Sequence, residues 1–314
     1  MLPDFFVVGA AKSGTTSLYH FLDRHPDVYM SPIKEPNHFC TDIRIDEFSE
    51  EFKRHEREKN LDLSRYLAGD MKEKHWGYFV RERSDYLKLF RNITTEKAAG
   101  EVSNSYLFSH RAAANIRQEI PAAKIIMMLR NPSERAWSHY LANLRDGKTY
   151  LPFMDEIKKD AGKNPKGWGR SYLYLEMGLY YAQVKRYMDL FPAGQLKIFL
   201  YDDFKKDPGD VMNQLFEFIG VPSMSGDLFR EKFNRARSPV SSRLLYFLSK
   251  TGIKRKLFRA IPAPFRKSVK DSFFKSSQPQ LPGDDIKQYL AGYYRNDIVL
   301  LESLLGRSLQ SWVE

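Results

Sequence analysis

Apolar residues occur along this chain in short unbroken runs, separated by stretches with helical spacing. Phe5–Val8, Val28–Met30, Ala98–Val102, Lys124–Leu129 and Leu196–Tyr201 read as strands buried on both faces. Between and after them, Thr15–Arg24, Tyr86–Leu89, Ser109–Glu119, Ser133–Leu144, Leu179–Leu190 and Pro208–Ile219 read as helices, and a last helix is expected over about 284–305. Asp207-Pro208 starts the 208–219 helix with an acceptor at the cap and a proline just inside, and Gly220 ends it. Strand and helix alternate, so the expected architecture is α/β, a central and mainly parallel sheet flanked by helices in three layers. Residues 1–314 are expected to form a single domain, with a charged, poorly periodic insertion over about 48–77 near the mouth of the site.

The first strand runs into Gly9-Ala10-Ala11-Lys12-Ser13-Gly14-Thr15-Thr16-Ser17, a small-residue loop that opens a helix. That geometry aims backbone N–H groups and a helix N-terminus at a phosphate, which makes the fold P-loop-like. A triphosphate loop of this spacing carries lysine directly after its second glycine; here Thr15 stands there, and the lysine is Lys12, two residues before Gly14. The strand Lys124–Leu129 ends not in a magnesium-binding aspartate but in Arg130, followed by Asn131-Pro132 and a helical pattern that carries Ser138. Two anion sites without a metal-binding carboxylate suit a nucleotide phosphorylated at two separate positions.

At these residues the chain resembles the sulfotransferases that use 3′-phosphoadenosine 5′-phosphosulfate (PAPS). Lys12, Ser13, Gly14, Thr15, Thr16 and Ser17 are similar to their 5′-phosphosulfate loop, and Arg130 with Ser138 to their 3′-phosphate clamp. Ser31–Phe39, containing Lys34-Glu35, resembles a segment of the branch that sulfates carbohydrates. The likeness continues through Gly100–Tyr106, Gly178-Leu179-Tyr180, Phe191-Pro192 and Leu305–Trp312, nearly the whole chain. It implies PAPS as donor co-substrate, no metal, Lys12 at the leaving group and Glu35 as the base, with His38 as competitor because the small-molecule branch uses histidine. It further implies Lys34, Asn37, Phe39, Ser103 and Asn104 on the acceptor side. Tyr180 is placed by it at the adenine or 3′-phosphate side, with a core position as the alternative, and Arg235, Arg237 and Ser238 in a late phosphate-contacting loop. Asn37 stands where the carbohydrate branch commonly has histidine, with Asp42 as the acid further on, and Val102 where it tends to have lysine. Those departures are on the acceptor side, so an alcohol or sugar, a carbohydrate or glycolipid, is expected without a heparan-like substrate being implied.

Charge adds one more feature. The chain carries a formal net charge of +11, yet Arg230–Lys275 alone holds fourteen Lys or Arg against two acids. Such a region draws an anionic donor and acceptor, and residues 243–275 also suit an amphipathic contact with an anionic membrane; a solvated cap over the nucleotide is the alternative. No nucleic-acid recognition motif accompanies it, so no nucleic-acid partner is expected. One cysteine, Cys40, permits no intramolecular disulfide and reads as a buried bystander. No apolar run approaches the roughly 18 residues of a membrane span, and the chain enters its first strand at once. The expected location is cytoplasmic, with a peripheral position at the inner face of the membrane left open. Two rival readings remain at this level: a P-loop nucleotide kinase, which would need magnesium and a strand-end acid, and a membrane-surface nucleotide-binding module.

Overall fold

The computed structural model describes residues 2–59, 61–224, 229, 237–251, 274–276 and 282–313, with backbone alone for 237–239 and 274–276. The amino-terminal half contains β1 (Phe5–Gly9), α1 (Thr15–Asp23), β2 (Val28–Met30), β3 (Ile33–Lys34), α2 (Glu50–Glu58), α3 (Leu63–Ala68), β4 (His75–Trp76) and α4 (Arg83–Lys88). There follow β5 (Ala98–Val102), α5 (Ser105–Phe108), α6 (Ala112–Glu119), β6 (Lys124–Leu129), α7 (Pro132–Asp146), α8 (Phe153–Ala161) and α9 (Tyr180–Met188). The chain continues with β7 (Leu196–Leu200), α10 (Tyr201–Lys206), α11 (Pro208–Ile219), β8 (Arg237–Pro239), α12 (Ser242–Lys250), β9 (Phe274–Ser276) and α13 (Asp284–Leu305).

Five strands form one sheet in the order β2-β5-β1-β6-β7, and every neighbouring pair is parallel. Alternation along β1 divides the core between two layers. Phe6 and Val8 face a layer that includes Ile116, Val184, Tyr187 and Tyr294 from α6, α9 and α13. Phe5 and Val7 face the other, with Leu18 and Leu22 of α1 and Met212, Leu215 and Phe216 of α11. The three-layer α/β expectation holds. Crossovers of this kind place loops at the carboxyl ends of the strands, where open parallel sheets bind ligands.

Several local expectations are corrected. Tyr201 starts α10 instead of ending β7. The expected 109–119 helix starts later, at Ala112, because the Ser109 hydroxyl accepts from the Arg111 and Ala112 N–H groups and holds the chain in a turn before α6. Residues 48–77, read as a charged and poorly periodic insertion, carry regular elements. They form α2, α3 and β4, and α2 holds itself with charge pairs such as Lys53–Glu50 at 3.4 Å and Lys59–Glu56 at 2.6 Å instead of an apolar stripe. β4 pairs with β3, Lys34 opposite Trp76, a two-stranded edge too short to be read from alternation. In the basic region, β8 and β9 pair antiparallel and α12 is a capped helix; Arg235 lies outside the described residues, while Arg237 and Ser238 belong to β8. Among the described residues no helix is long and apolar enough to cross a membrane.

Candidate active site

The loop after β1 is shaped by positive backbone angles. Lys12 has φ 70° and Gly14 φ 87°, and a Cβ on Gly14 would stand 2.9 Å from the Tyr201 ring, so only glycine fits. The Ala10 N–H donates to Met128 O at 2.8 Å, which fixes the loop across the end of β6. Gly14 is the N-cap of α1 and no side chain caps that helix, so its first N–H groups are left for an anion. Among the described residues, the buried Ser13 and Tyr180 hydroxyls, which lie beside one another, lack a well-formed hydrogen-bond partner. Both observations fit a phosphate-bearing ligand lodged here. Tyr180 is fully buried and packs on Trp312, so its ring belongs to the core and only its hydroxyl reaches toward the loop.

Cations surround Lys12. Desolvation is the main reason its ammonium is lowered to about 8; Arg145, Lys148 and Arg130 add to it and outweigh Asp146. Arg130 follows β6 directly. Its Nη1 donates to Lys12 O at 3.3 Å and its guanidinium lies over the Tyr201 ring, 4.9 Å from the centroid. Arg130 Nε and Nη2 donate to Glu134 Oε2 at 3.0 and 2.9 Å. Unlike α1, α7 is closed by its own cap: Asn131 Oδ1 accepts from the Ser133 and Glu134 N–H groups. Ser138 lies two turns along α7, half-buried.

The Lys34–Phe39 loop arrives on the other side of β1. The Glu35 N–H donates to Val102 O at 2.8 Å, at the carboxyl end of β5, and the Ser103 N–H donates to Val7 O at 3.0 Å. Glu35 Oε1 accepts from Lys34 Nζ at 2.6 Å and from Asn104 Nδ2 at 2.7 Å. Lys34 is buried and Glu35 partly open, so the carboxylate is oriented and reachable. Lys34 Nζ also lies 5.5 Å over the ring of Trp76, a half-exposed indole.

Three residues expected on the acceptor side are turned inward instead. Glu35 (φ 62°) and Asn37 (φ 51°) both occupy the left-handed region. Asn37 Nδ2 donates to Glu35 O and Tyr78 O, and its Oδ1 accepts from Ser105 Oγ at 2.5 Å, which leaves no free polar atom. Ser103 Oγ donates to Glu101 and accepts from the Asn37 N–H. Phe39 is buried, edge-on to Phe6, Tyr86 and Tyr106. Below them Glu101, fully buried, accepts from the Tyr86 and Tyr106 hydroxyls at 2.9 and 2.8 Å, and burial raises its carboxyl to about 7.

His38 stacks on Tyr86 with centroids 4.2 Å apart, and Nδ1 contacts Val80 O at 2.8 Å. Burial lowers its pKa. Cys40 is buried, donates to Asn37 O, and is pushed up to about 11 by burial. Among the described residues no group of three or more His, Cys, Asp or Glu side chains is arranged to hold a metal.

Three adjacent strands thus bring the groups to one edge: β5 carries Asn104 and supports Glu35, β1 carries the Lys12 loop, and β6 carries Arg130. Sequence reasoning missed Tyr201, which joins Gly14 to Arg130, along with Glu134, Lys148 and Trp76. Only Glu134 had a local signal, its four-residue spacing from Arg130.

Residues 3–225 match the model of the sulfotransferase family. Over its full length the chain is 29% identical to a crystallised sulfotransferase from Alicyclobacillus acidocaldarius, covering 100% of both chains with a TM-score of 0.71. It is 28% identical over 99% of its length to the human bifunctional heparan sulfate N-deacetylase/N-sulfotransferase 3, of which it covers 31%. It is 26% identical over 77% of its length to rat carbohydrate sulfotransferase 15, covering 47% of that protein. The chain therefore spans about a third to a half of the length of these two relatives.

Proposed function

The chain belongs to the sulfotransferase family, and from that premise we propose that it transfers the sulfuryl group of PAPS to a hydroxyl or amine of a carbohydrate or glycolipid acceptor. The observation that carries this reading is the meeting of an uncapped helix N-terminus, Lys12 and Arg130 with an oriented carboxylate, Glu35, at the ends of three adjacent strands. Bound PAPS would supply the activated sulfuryl group and a separate 3′-phosphate handle. Lys12 and the N–H groups of Gly14–Thr16 neutralise charge that develops on the departing 5′-phosphate; the Ser17 N–H is taken by Gly14 O. Arg130 and Ser138 hold the 3′-phosphate, a charge-assisted contact; by resemblance, Arg235, Arg237 and Ser238 complete that side.

Glu35 takes the acceptor's proton as the new bond to sulfur forms. Lys34 and Asn104 keep its carboxylate aimed while leaving one oxygen open. The stacking of His38 and its contact to a backbone carbonyl favour Glu35 over His38 as the base. The scheme calls for no metal. Exposed Leu244 and Phe247 on α12, within the basic stretch 243–275, favour a peripheral contact with an anionic membrane at its cytoplasmic face.

Thermal-shift measurements test the donor assignment. Adenosine 3′,5′-bisphosphate should raise the melting temperature strongly and ATP with magnesium should not; the opposite ranking would point to a kinase. Incubating extracts with labelled PAPS and the protein should then mark the acceptor.

A further inference from the structure

Arg130 already has an anionic partner. Both Nε and Nη2 donate to one oxygen, Oε2, of Glu134, in the first turn of α7. The same oxygen lies 3.8 Å from Lys205 Nζ, whose nearer partner is Asp202 at 2.7 Å. Glu134 is thus a half-exposed carboxylate between two cations, at the rim of the anion site.

Resting on the assignment of Arg130 to the 3′-phosphate, we propose that Glu134 is an internal anion that competes with that phosphate and thereby sets nucleotide affinity and the release of the bisphosphate product. A guanidinium has five N–H donors. Glu134 takes two and Lys12 O takes one, so donors remain for a phosphate without full loss of the internal pair. A carboxylate and a phosphate dianion on one guanidinium repel each other at a distance of a few ångströms, and a partly covered site screens that repulsion weakly. Binding is therefore weaker than Arg130 alone would make it. When the nucleotide leaves, Glu134 satisfies Arg130 and the empty site is not left with an unpaired, largely covered cation.

Two further contacts hold the competing charge in place. The Glu134 N–H lies in the first turn of α7, on the Asn131 cap, where a negative side chain is favoured whatever Arg130 does. Lys205 gives the carboxylate a second cation when Arg130 turns to a ligand. Glu134 is in this sense an affinity-setting residue that acts through Arg130.

Titration calorimetry at fixed ionic strength, with adenosine 3′,5′-bisphosphate and with adenosine 5′-phosphate, tests the proposal. Glu134→Gln keeps an oxygen that can accept from Arg130 and removes the charge. It should bind the bisphosphate about tenfold more tightly, release it about tenfold more slowly, and leave adenosine 5′-phosphate unchanged. Arg130→Ala should weaken the bisphosphate selectively. If it does, and Glu134→Gln leaves bisphosphate affinity unchanged or lower, Glu134 only braces Arg130 and the proposal is overturned while the 3′-phosphate site stands. If Arg130→Ala weakens both nucleotides equally, the 3′-phosphate assignment itself fails and the proposal fails with it.

Discussion

The Lys12 loop and the Glu35 loop meet at one sheet edge but are built by opposite means. The first relies on backbone: a strand end, two residues at positive φ, and a helix whose N-terminal N–H groups no side chain occupies. The second relies on side chains. Asn37, Ser103, Ser105, Tyr106 and Glu101 bond to one another or to the loop backbone, and Lys34 to the Glu35 carboxylate, until little but that carboxylate remains to face a ligand. A backbone cradle leaves its donors open for a group of fixed shape such as a phosphate. A side-chain network instead presents one group in one orientation and can be varied around it.

The strongest test of that division is Glu35→Gln. Transfer should fall by about two to four orders of magnitude, because the proton acceptor is gone while size is kept. Affinity for adenosine 3′,5′-bisphosphate should hold, and His38→Ala should lose less rate. A tenfold loss of nucleotide affinity in Glu35→Gln would mean that the two loops are not separable.

Lys12→Ala should raise the barrier by about 2 to 4 kcal/mol in single-turnover transfer, with a smaller loss in bisphosphate affinity. Lys12 also predicts a pH limb. Its folded pKa is lowered to about 8 from the ordinary 10.5 of a lysine, so the cation is lost as pH rises through 8 and kcat/KM for PAPS should fall there. Lys12→Arg should move that limb to higher pH. In stability the sign is reversed: the cost of burying the charge is present below pH 8 and is relieved between 8 and 10.5, so from this group the ligand-free protein gains stability as pH rises.

The smallest expected effect is Asn37→Ala, a change behind Glu35 and not at it. Loss of its three side-chain hydrogen bonds should cost about 1 to 3 kcal/mol in urea unfolding and about tenfold in transfer rate. Bisphosphate binding unaltered in this variant would sharpen the contrast between the loops.

The same contrast explains what could be read in the sequence. β1, β2, β5 and β6 were legible because buried parallel strands are local apolar runs, and the Lys12 loop because its chemistry is contiguous. Short or charged elements such as β3, β4, α2 and α3 gave no period to detect. On the acceptor side, being neighbours in sequence does not make Asn37, Phe39 and Ser103 neighbours at the ligand. Glu35 and Asn37 take positive φ and the side chains of Lys34, Asn37 and Phe39 are buried, and nothing local announces that path. Tyr201 and Trp76 come from distant elements, so their places at Gly14 and Lys34 required the fold.

The order of the sheet bears on how such a chain diversifies. β1 separates the strand that supports Glu35 from the strand that ends in Arg130. If the roles proposed for Glu35 and Arg130 hold, substitutions around Glu35 within residues 31–39, 75–80 and 103–105 could change which molecule receives the group, while the surface that recognises its giver, across β1, need not change with them.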